Sequence, residues 1–215
     1  MITPTPDFWK VFKETNGALS TAEAIAIMNI AAQAPKGIAM EMGVHKGKSL
    51  ISSIYGLNYD RTFVLVEPEF KDIDWYDKVK ELADSIEINT NSYICEADYS
   101  INVIPQYDNY AWVFSDAGSH SDDLPMQEVK MLEDRIISGG IIAFHDVFSQ
   151  FVKQTEAYEY LLSTGKFEKI EINWQEIFDY VAEHNLEEGN NSWHLYPELP
   201  HPPNFVGALR RKWIL

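Results

Sequence analysis

Short apolar runs of this chain end repeatedly in residues that can bind a ligand or take part in chemistry. The first run ends in Glu41, and a turn containing Gly43 and Gly47 follows at once. The glycines allow the backbone to approach a ligand closely, and the first amides of the next helix are free to donate hydrogen bonds. The spacing ExGxxxG is neither the dinucleotide GxGxxG nor the phosphate-binding GxxxxGK[ST]. We therefore predict a small-ligand site here, with Val44 and Ser49 beside the glycines.

Two further apolar runs end in acidic residues. Glu67 follows Gly43 by 24 positions and can accept hydrogen bonds from both ribose hydroxyls of an adenosine. Asp98 follows the next run, and its carboxylate can accept from the exocyclic amine of adenine. Each acid alone is explained as well by a solvated strand end. Their order behind the glycine turn predicts that both contribute to an adenosine-binding site.

The next two apolar runs end in residues suited to acid–base chemistry. Asp116 ends one run, with His120 shortly after it, and His145 and Asp146 end the other. A histidine at such a position can remove the proton of a reacting hydroxyl. We expect Asp116 and either histidine to act on a substrate, although a structural role explains a lone histidine equally well. Neighbouring side chains on a strand point to opposite faces, so the pairing of His145 with Asp146 stays open.

The elements that position these residues follow from the alternation of apolar runs with amphipathic stretches. We predict strands over 37–42, 62–66, 93–96, 111–115, 140–144, 167–172 and 205–210. We predict helices over 21–34, 48–56, 75–83, 101–104, 125–137, 150–162 and 175–184. Short apolar strands separated by helices are typical of a parallel sheet covered on both faces, a single α/β/α sandwich. The strands then deliver the candidate residues to one carboxyl edge.

The two ends of the chain differ from this alternating core. We expect residues 1–35 to form an N-terminal helical cap, because Ser20 and Glu23 have capping-box spacing and Pro35 ends the helical pattern. Residues 36–148 form the predicted cofactor-binding core. Residues 173–204 are rich in aromatic side chains and are predicted to cover a substrate, although packing within that segment explains them equally well. The sequence leaves open whether the N-terminal helix mediates a homodimer.

Composition restricts the partners and the compartment. Seventeen basic and 33 acidic residues give a net charge of −16 over 215 residues, which repels phosphate backbones and argues against nucleic acid. No apolar stretch is long enough to span a membrane. A single cysteine, Cys95, and the lack of a secretory signal favour a reducing compartment, so we expect a cytoplasmic protein.

Several of these motifs together resemble class I S-adenosylmethionine-dependent methyltransferases. They are the ExGxxxGxS turn, the acids at Glu67 and Asp98, the segment 115–120 and the doubled-glycine strand 139–146. More narrowly, they resemble the small-molecule O-methyltransferase branch with macrocin and catechol-type enzymes. The resemblance covers 34–148 and implies a Rossmann-like doubly wound sheet of seven strands, mostly parallel with an antiparallel final strand. It implies S-adenosylmethionine as cofactor, with Asp116 also contacting it, and a small hydroxylated acceptor.

The same resemblance implies a metal. Several relatives bind a divalent ion with two strand-end carboxylates, which correspond here to Asp116 and Asp146. Oxygen ligands suit Mg²⁺, and an added histidine favours Mn²⁺. A metal-free site remains open, and so does a helix-capping role for Asp146. Ala117 and the acids that follow depart from the family pattern, which keeps a catalytically silent cofactor-binding protein as an alternative beside a nicotinamide-dependent oxidoreductase.

Overall fold

The computed structural model describes residues 1–15, 17, 19–57, 61–69, 77, 81, 84, 92–116, 122–147, 152–186 and 206–213. The helices are α1 (Pro6–Glu14), α2 (Thr21–Ala31), α3 (Lys48–Leu57), α4 (Ser100–Val103, continued by a 3₁₀ turn, Ile104–Gln106), α5 (Leu124–Leu132), α6 (Val152–Ser163) and α7 (Trp174–Glu183). The strands are β1 (Ile38–Met42), β2 (Thr62–Val66), β3 (Ser92–Glu96), β4 (Tyr110–Ser115), β5 (Ile136–Phe144), β6 (Phe167–Lys169) and β7 (Gly207–Arg211). None of the helices in these ranges has the length and apolar character that crossing a membrane requires.

The strands join in the order β3-β2-β1-β4-β5-β7-β6, so seven strands form one sheet within the described residues. The pairs among β1 to β5 are parallel, whereas β7 runs antiparallel to both β5 and β6. This order confirms the predicted doubly wound, mostly parallel sheet with an antiparallel final strand. Chain order reverses between β1 and β4, which is the point where such sheets bind ligands.

Alternate residues of the strands feed two separate apolar cores. On β4, Trp112 and Phe114 pack into one core, while Val113 packs into the other. The first core contains α1, α2, α3 and α7, and the second contains α5 and α6. Both faces of the sheet are therefore covered, which explains why the parallel strands read as continuous apolar runs.

The helix α2 is buried along its whole length apart from Asn29. The predicted capping box is present, since Ser20 Oγ accepts from the Glu23 amide and Glu23 Oε2 accepts from the Ser20 amide. At Gly56 of α3, an added Cβ would lie 2.3 Å from the carbonyl oxygen of Met28. A glycine is therefore required for α3 to approach α2 this closely.

Several predicted boundaries differ from the structure, and one prediction lies outside the described residues. The helix predicted over 21–34 ends at Ala31, and the strand predicted over 140–144 begins at Ile136. The helix predicted over 125–137 ends at Leu132, because Ile136 already pairs with Tyr110 before a shift in the strand register. The strand predicted over 167–172 ends at Lys169. The helix predicted over 75–83 falls almost wholly on residues that the structure does not describe.

Candidate active site

Backbone hydrogen bonds tie the carboxyl ends of five strands into one continuous edge. They run from Gly43 N to Val66 O (2.9 Å), Glu67 N to Glu96 O (3.2 Å), Asp116 N to Met42 O (3.0 Å) and His145 N to Ser115 O (3.1 Å). Each donor is a residue singled out from the sequence, and each lies just beyond its strand. The sheet therefore places the predicted site residues of these strands along a single edge, as expected for parallel pairing.

The turn between β1 and α3 is held in a conformation that favours glycine. Gly43 and Gly47 have φ angles of 81° and 82°, and His45 between them also has a positive φ of 46°. The Gly47 amide donates to the carbonyl of Val44 at 2.8 Å, which closes the turn before α3 begins. These positive φ angles explain the glycines at both positions. The approach of this turn to a ligand stays a prediction.

Glu41 is wholly buried at the end of β1. Its Oε1 accepts a hydrogen bond from Ser49 Oγ at 2.7 Å, which ties the strand to the first turn of α3. Its Oε2 accepts no hydrogen bond from the described residues. Burial raises the pKa of Glu41 to about 8; the Ser49 hydroxyl opposes this rise, and the charge of Asp116 adds to it.

The two acids predicted to face adenosine are both bound to nearby backbone. Glu67 Oε2 accepts from the His45 amide at 3.0 Å, and Glu67 Oε1 accepts from the Glu69 amide at 3.2 Å. Glu67 therefore joins the end of β2 to the glycine turn. Asp98 is exposed, and its Oδ1 accepts from the Tyr99 amide at 2.7 Å and from Asn102 Nδ2 at 2.9 Å. These bonds place Asp98 at the start of α4.

On the other half of the edge, carboxylates converge on one imidazole. His145 Nδ1 lies 3.3 Å from Asp116 Oδ1 and 3.5 Å from Asp146 Oδ2. On the opposite side of the ring, Nε2 lies 3.4 Å from Glu23 Oε1. Asp116, His145 and Asp146 each offer one ligand atom, and these three atoms all lie within 4.8 Å of one another. A metal ion could be held at this spacing.

The electrostatics of this cluster favour a cation. Burial alone lowers the pKa of His145, but the charge of Asp116 and the nearby carboxylates of Asp116, Asp146 and Glu23 outweigh it, so the pKa lies well above its ordinary value. Asp146 has a positive φ of 58°, which takes it out of the strand geometry. The rule of opposite faces therefore does not apply, and its side chain lies on the same side as His145.

The sequence did not single out three residues that adjoin this edge. For Glu23 the sequence pattern indicates only a capping role. Leu19 and Lys48 line, together with Gly43, Asp116 and His145, a small cleft of about 70 Å³. Lys48 is largely buried, and its Nζ lies 4.3 Å from the centre of the Phe12 ring of α1. A charged residue inside the otherwise apolar α2 was the signal that could have drawn attention to Glu23.

Two of the predicted features lie outside the described residues. His120 falls in the segment 117–121, so its role stays a prediction. The predicted substrate cover, 173–204, is described only to residue 186 and contains α7.

Comparison with known proteins gives structural likeness without sequence likeness. No family model and no curated protein match the sequence. An O-methyltransferase from Bacillus cereus, solved with S-adenosylhomocysteine, is 13% identical and has a TM-score of 0.60, covering 79% of this chain and 84% of its own. The fold is that of class I methyltransferases.

Two further structures cover almost the whole chain. A TDP-rhamnose 3'-O-methyltransferase of calicheamicin biosynthesis is 13% identical with a TM-score of 0.57, covering 97% of this chain and 96% of its own. A Corynebacterium glutamicum protein is 12% identical with a TM-score of 0.64, covering 99% and 93%. At these identities the likeness establishes the class I methyltransferase fold and leaves the activity to be argued from the site.

Proposed function

We propose that this protein is an S-adenosylmethionine-dependent methyltransferase that acts on a hydroxyl group of a small molecule. The observation that carries this proposal is the single sheet edge that combines the glycine turn, Glu67 and the Asp116–His145–Asp146 cluster. The antiparallel β7 also supports it over a nicotinamide-dependent oxidoreductase, because the dinucleotide fold continues with a parallel sixth strand.

The residues of the first half of the edge fit S-adenosylmethionine, which supplies an electrophilic methyl group on a sulfonium. Each Glu67 oxygen accepts one hydrogen bond from the described residues, and its second lone pair could accept one from a ribose hydroxyl. The positive φ angles of Gly43 and Gly47 shape the backbone around the amino-acid portion. The buried Glu41 Oε2, which lacks a donor among the described residues, is suited to an ammonium group. Asp98 is the candidate for the adenine amine.

The second half of the edge fits a hydroxyl acceptor with a divalent ion. Asp116, Asp146 and His145 would hold the ion, and a bound divalent ion lowers the pKa of a hydroxyl that it coordinates. The mixed oxygen and nitrogen donors favour Mn²⁺ or a similar ion over Mg²⁺. Three carboxylates around one imidazole leave an excess of negative charge that a cation offsets. In a metal-free site, His145 or His120 would instead take the proton of the acceptor.

We further propose that the segment 173–204 covers the acceptor and that nucleic acid is not a substrate. The net charge of −16 supports the second statement, because a nucleic-acid enzyme needs a basic surface.

Calorimetry tests the cofactor. We expect S-adenosylmethionine and S-adenosylhomocysteine to bind with one site per chain and NADH not to bind. Transfer of labelled methyl groups to a panel of hydroxylated metabolites then separates an enzyme from a silent binding protein. Binding of NADH with no binding of S-adenosylmethionine would refute the proposal.

Chelator treatment tests the metal. We expect methyl transfer to an identified acceptor to fall after metal removal and to return on addition of Mn²⁺ or Mg²⁺. Full activity in excess chelator would exclude the metal, and the histidines would become the first residues to mutate.

A further inference from the structure

Glu23 occupies an unusual position for an N-terminal capping residue. It lies in the first turn of α2, with 2% of its surface exposed. One carboxylate oxygen, Oε2, accepts from the Ser20 amide at 2.8 Å and completes the capping box. The other oxygen, Oε1, accepts no hydrogen bond from the described residues and lies 3.4 Å from His145 Nε2. Capping uses one oxygen, so the second is available to the imidazole.

The two nitrogens of His145 face different surroundings. Nε2 faces Glu23, which lies 122 positions earlier in the chain, whereas Nδ1 faces Asp116 and Asp146 at the sheet edge. Where Asp116 and Asp146 hold an ion, Glu23 is the carboxylate that remains to favour a proton, and it faces Nε2. The lone pair of a neutral imidazole then lies on Nδ1, on the side of the two aspartates.

We propose that Glu23 is a positioning residue that makes His145 a metal ligand through Nδ1. The arrangement is the carboxylate–histidine–metal relay, in which a carboxylate fixes the tautomer and ring orientation of a ligating histidine. The inference rests on the metal site proposed above. It adds Glu23, from the N-terminal part of the chain, to that site. It also assigns Nδ1 of His145 as the third ligand of the ion.

The substitution Glu23→Gln separates positioning from capping. A glutamine at this position still forms a capping box, because its single oxygen can accept from the Ser20 amide. Its amide NH₂ then faces His145 Nε2 and donates to it, which favours the proton on Nδ1. That tautomer has no lone pair directed at the aspartates, so the variant keeps the helix cap and loses the nitrogen ligand.

The experiment measures the binding of Mn²⁺ to metal-free protein, in the absence of cofactor and acceptor. Isothermal titration calorimetry gives the affinity for Mn²⁺. Electron spin-echo envelope modulation shows whether an imidazole nitrogen coordinates the bound Mn²⁺. Thermal unfolding checks the fold of each variant. Asp146→Asn serves as the ligand control. Glu176→Gln is the capping control. Glu176, at the start of α7, is exposed; its amide donates to the N-cap residue Asn173, and its carboxylate accepts from Asn173 Nδ2 rather than from a backbone amide.

We expect wild type to bind one Mn²⁺ with a coordinated imidazole nitrogen. Glu23→Gln should bind about 10- to 100-fold more weakly and lose the nitrogen signal while its melting temperature stays close to that of wild type. Glu176→Gln should match wild type in all three measurements.

Two different results would overturn the inference. Unchanged affinity and nitrogen signal in Glu23→Gln, with binding lost in Asp146→Asn, would remove the role of Glu23 and keep the metal site. No Mn²⁺ binding by wild type would remove both the metal site and the role of Glu23. Neither result affects the proposed binding of S-adenosylmethionine, which is measured separately.

Discussion

The two halves of the carboxyl edge are stabilised in different ways. In the half that we propose binds the cofactor (the cofactor half), Glu67 and Asp98 accept hydrogen bonds chiefly from nearby backbone amides. In the half that we propose acts on the acceptor (the acceptor half), the carboxylates of Glu23, Asp116 and Asp146 surround the buried ring of His145. One half depends on local backbone conformation, and the other depends on electrostatic balance among side chains from distant parts of the chain.

This difference predicts which substitutions disrupt each half. Backbone conformation is disrupted by changes that forbid a φ angle, whereas a charge cluster is disrupted by changes that keep shape but alter charge. Substitutions of the two kinds should therefore affect cofactor binding and metal binding independently.

The largest expected effect is on the glycine turn. Gly43→Val places a β-branched residue at a φ of 81°, which is strongly disfavoured. We expect affinity for S-adenosylmethionine to fall at least about 100-fold, roughly 3 kcal/mol, while Mn²⁺ binding stays within threefold of wild type. Calorimetry with each ligand measures both.

Gly165→Val provides the control for backbone strain in that experiment. Gly165 has a comparable φ of 72° and no heavy atom within 4 Å of an added Cβ. This variant should lose stability and keep cofactor affinity. A normal affinity in Gly43→Val would show that the turn does not contact the cofactor.

The next effect concerns Glu128, which connects the two halves. This buried residue of α5 accepts hydrogen bonds from Ser100, after β3, and from Ser115 Oγ at 3.5 Å, at the end of β4. Burial raises the pKa of Glu128 to about 7, and the two serine hydroxyls oppose the rise. The folded state thus holds this proton more tightly than the unfolded state. Its contribution to stability falls as pH rises from about 4.5 to 7 and is constant above.

Glu128→Gln cannot ionise, so it should become more stable than wild type as pH rises. We expect the gain to approach about 3 kcal/mol above pH 7 and to vanish near pH 4. Urea unfolding at several pH values measures it. Glu168→Gln, at an exposed strand position, should change the free energy of unfolding by less than about 0.5 kcal/mol. A pH-independent difference for Glu128→Gln would mean that the carboxyl is not perturbed by burial.

The smallest effect is expected at Glu67. Glu67→Ala removes the acceptor for ribose and should weaken S-adenosylmethionine binding by about 1.5–3 kcal/mol. Glu69→Ala, two positions later and exposed, should bind normally. If a folded Glu67→Ala protein bound S-adenosylmethionine with unchanged affinity, Glu67 would not contact the ribose.

The sheet could be predicted because its signal is local. Each parallel strand is a continuous apolar run, and helix caps such as Ser20 have a short-range pattern. The boundary at Ile136 could not be predicted, because it depends on pairing with Tyr110 across a shift in register. Pairing between distant residues leaves no trace in a local pattern.

The site divides in the same way. The strand-end residues Glu41, Glu67 and Asp116 could be placed at one edge, since parallel strands share their carboxyl ends. The side of the edge on which Asp146 lies could not, because its positive φ overrides strand alternation. Glu23 was missed because a capping box already accounts for it locally, and its second neighbour, His145, directly follows β5.

The placement of β7 has a consequence for synthesis on the ribosome. It follows β6 in the chain by a long connection, yet in the sheet it separates β6 from β5. While residues 1–206 emerge, β5 has nothing to pair with on that side and β6 has no place in the sheet. An unpaired strand edge is a template for association with other chains. The open edge of β5 should therefore need protection by chaperones until residues 207–211 pair between the two strands.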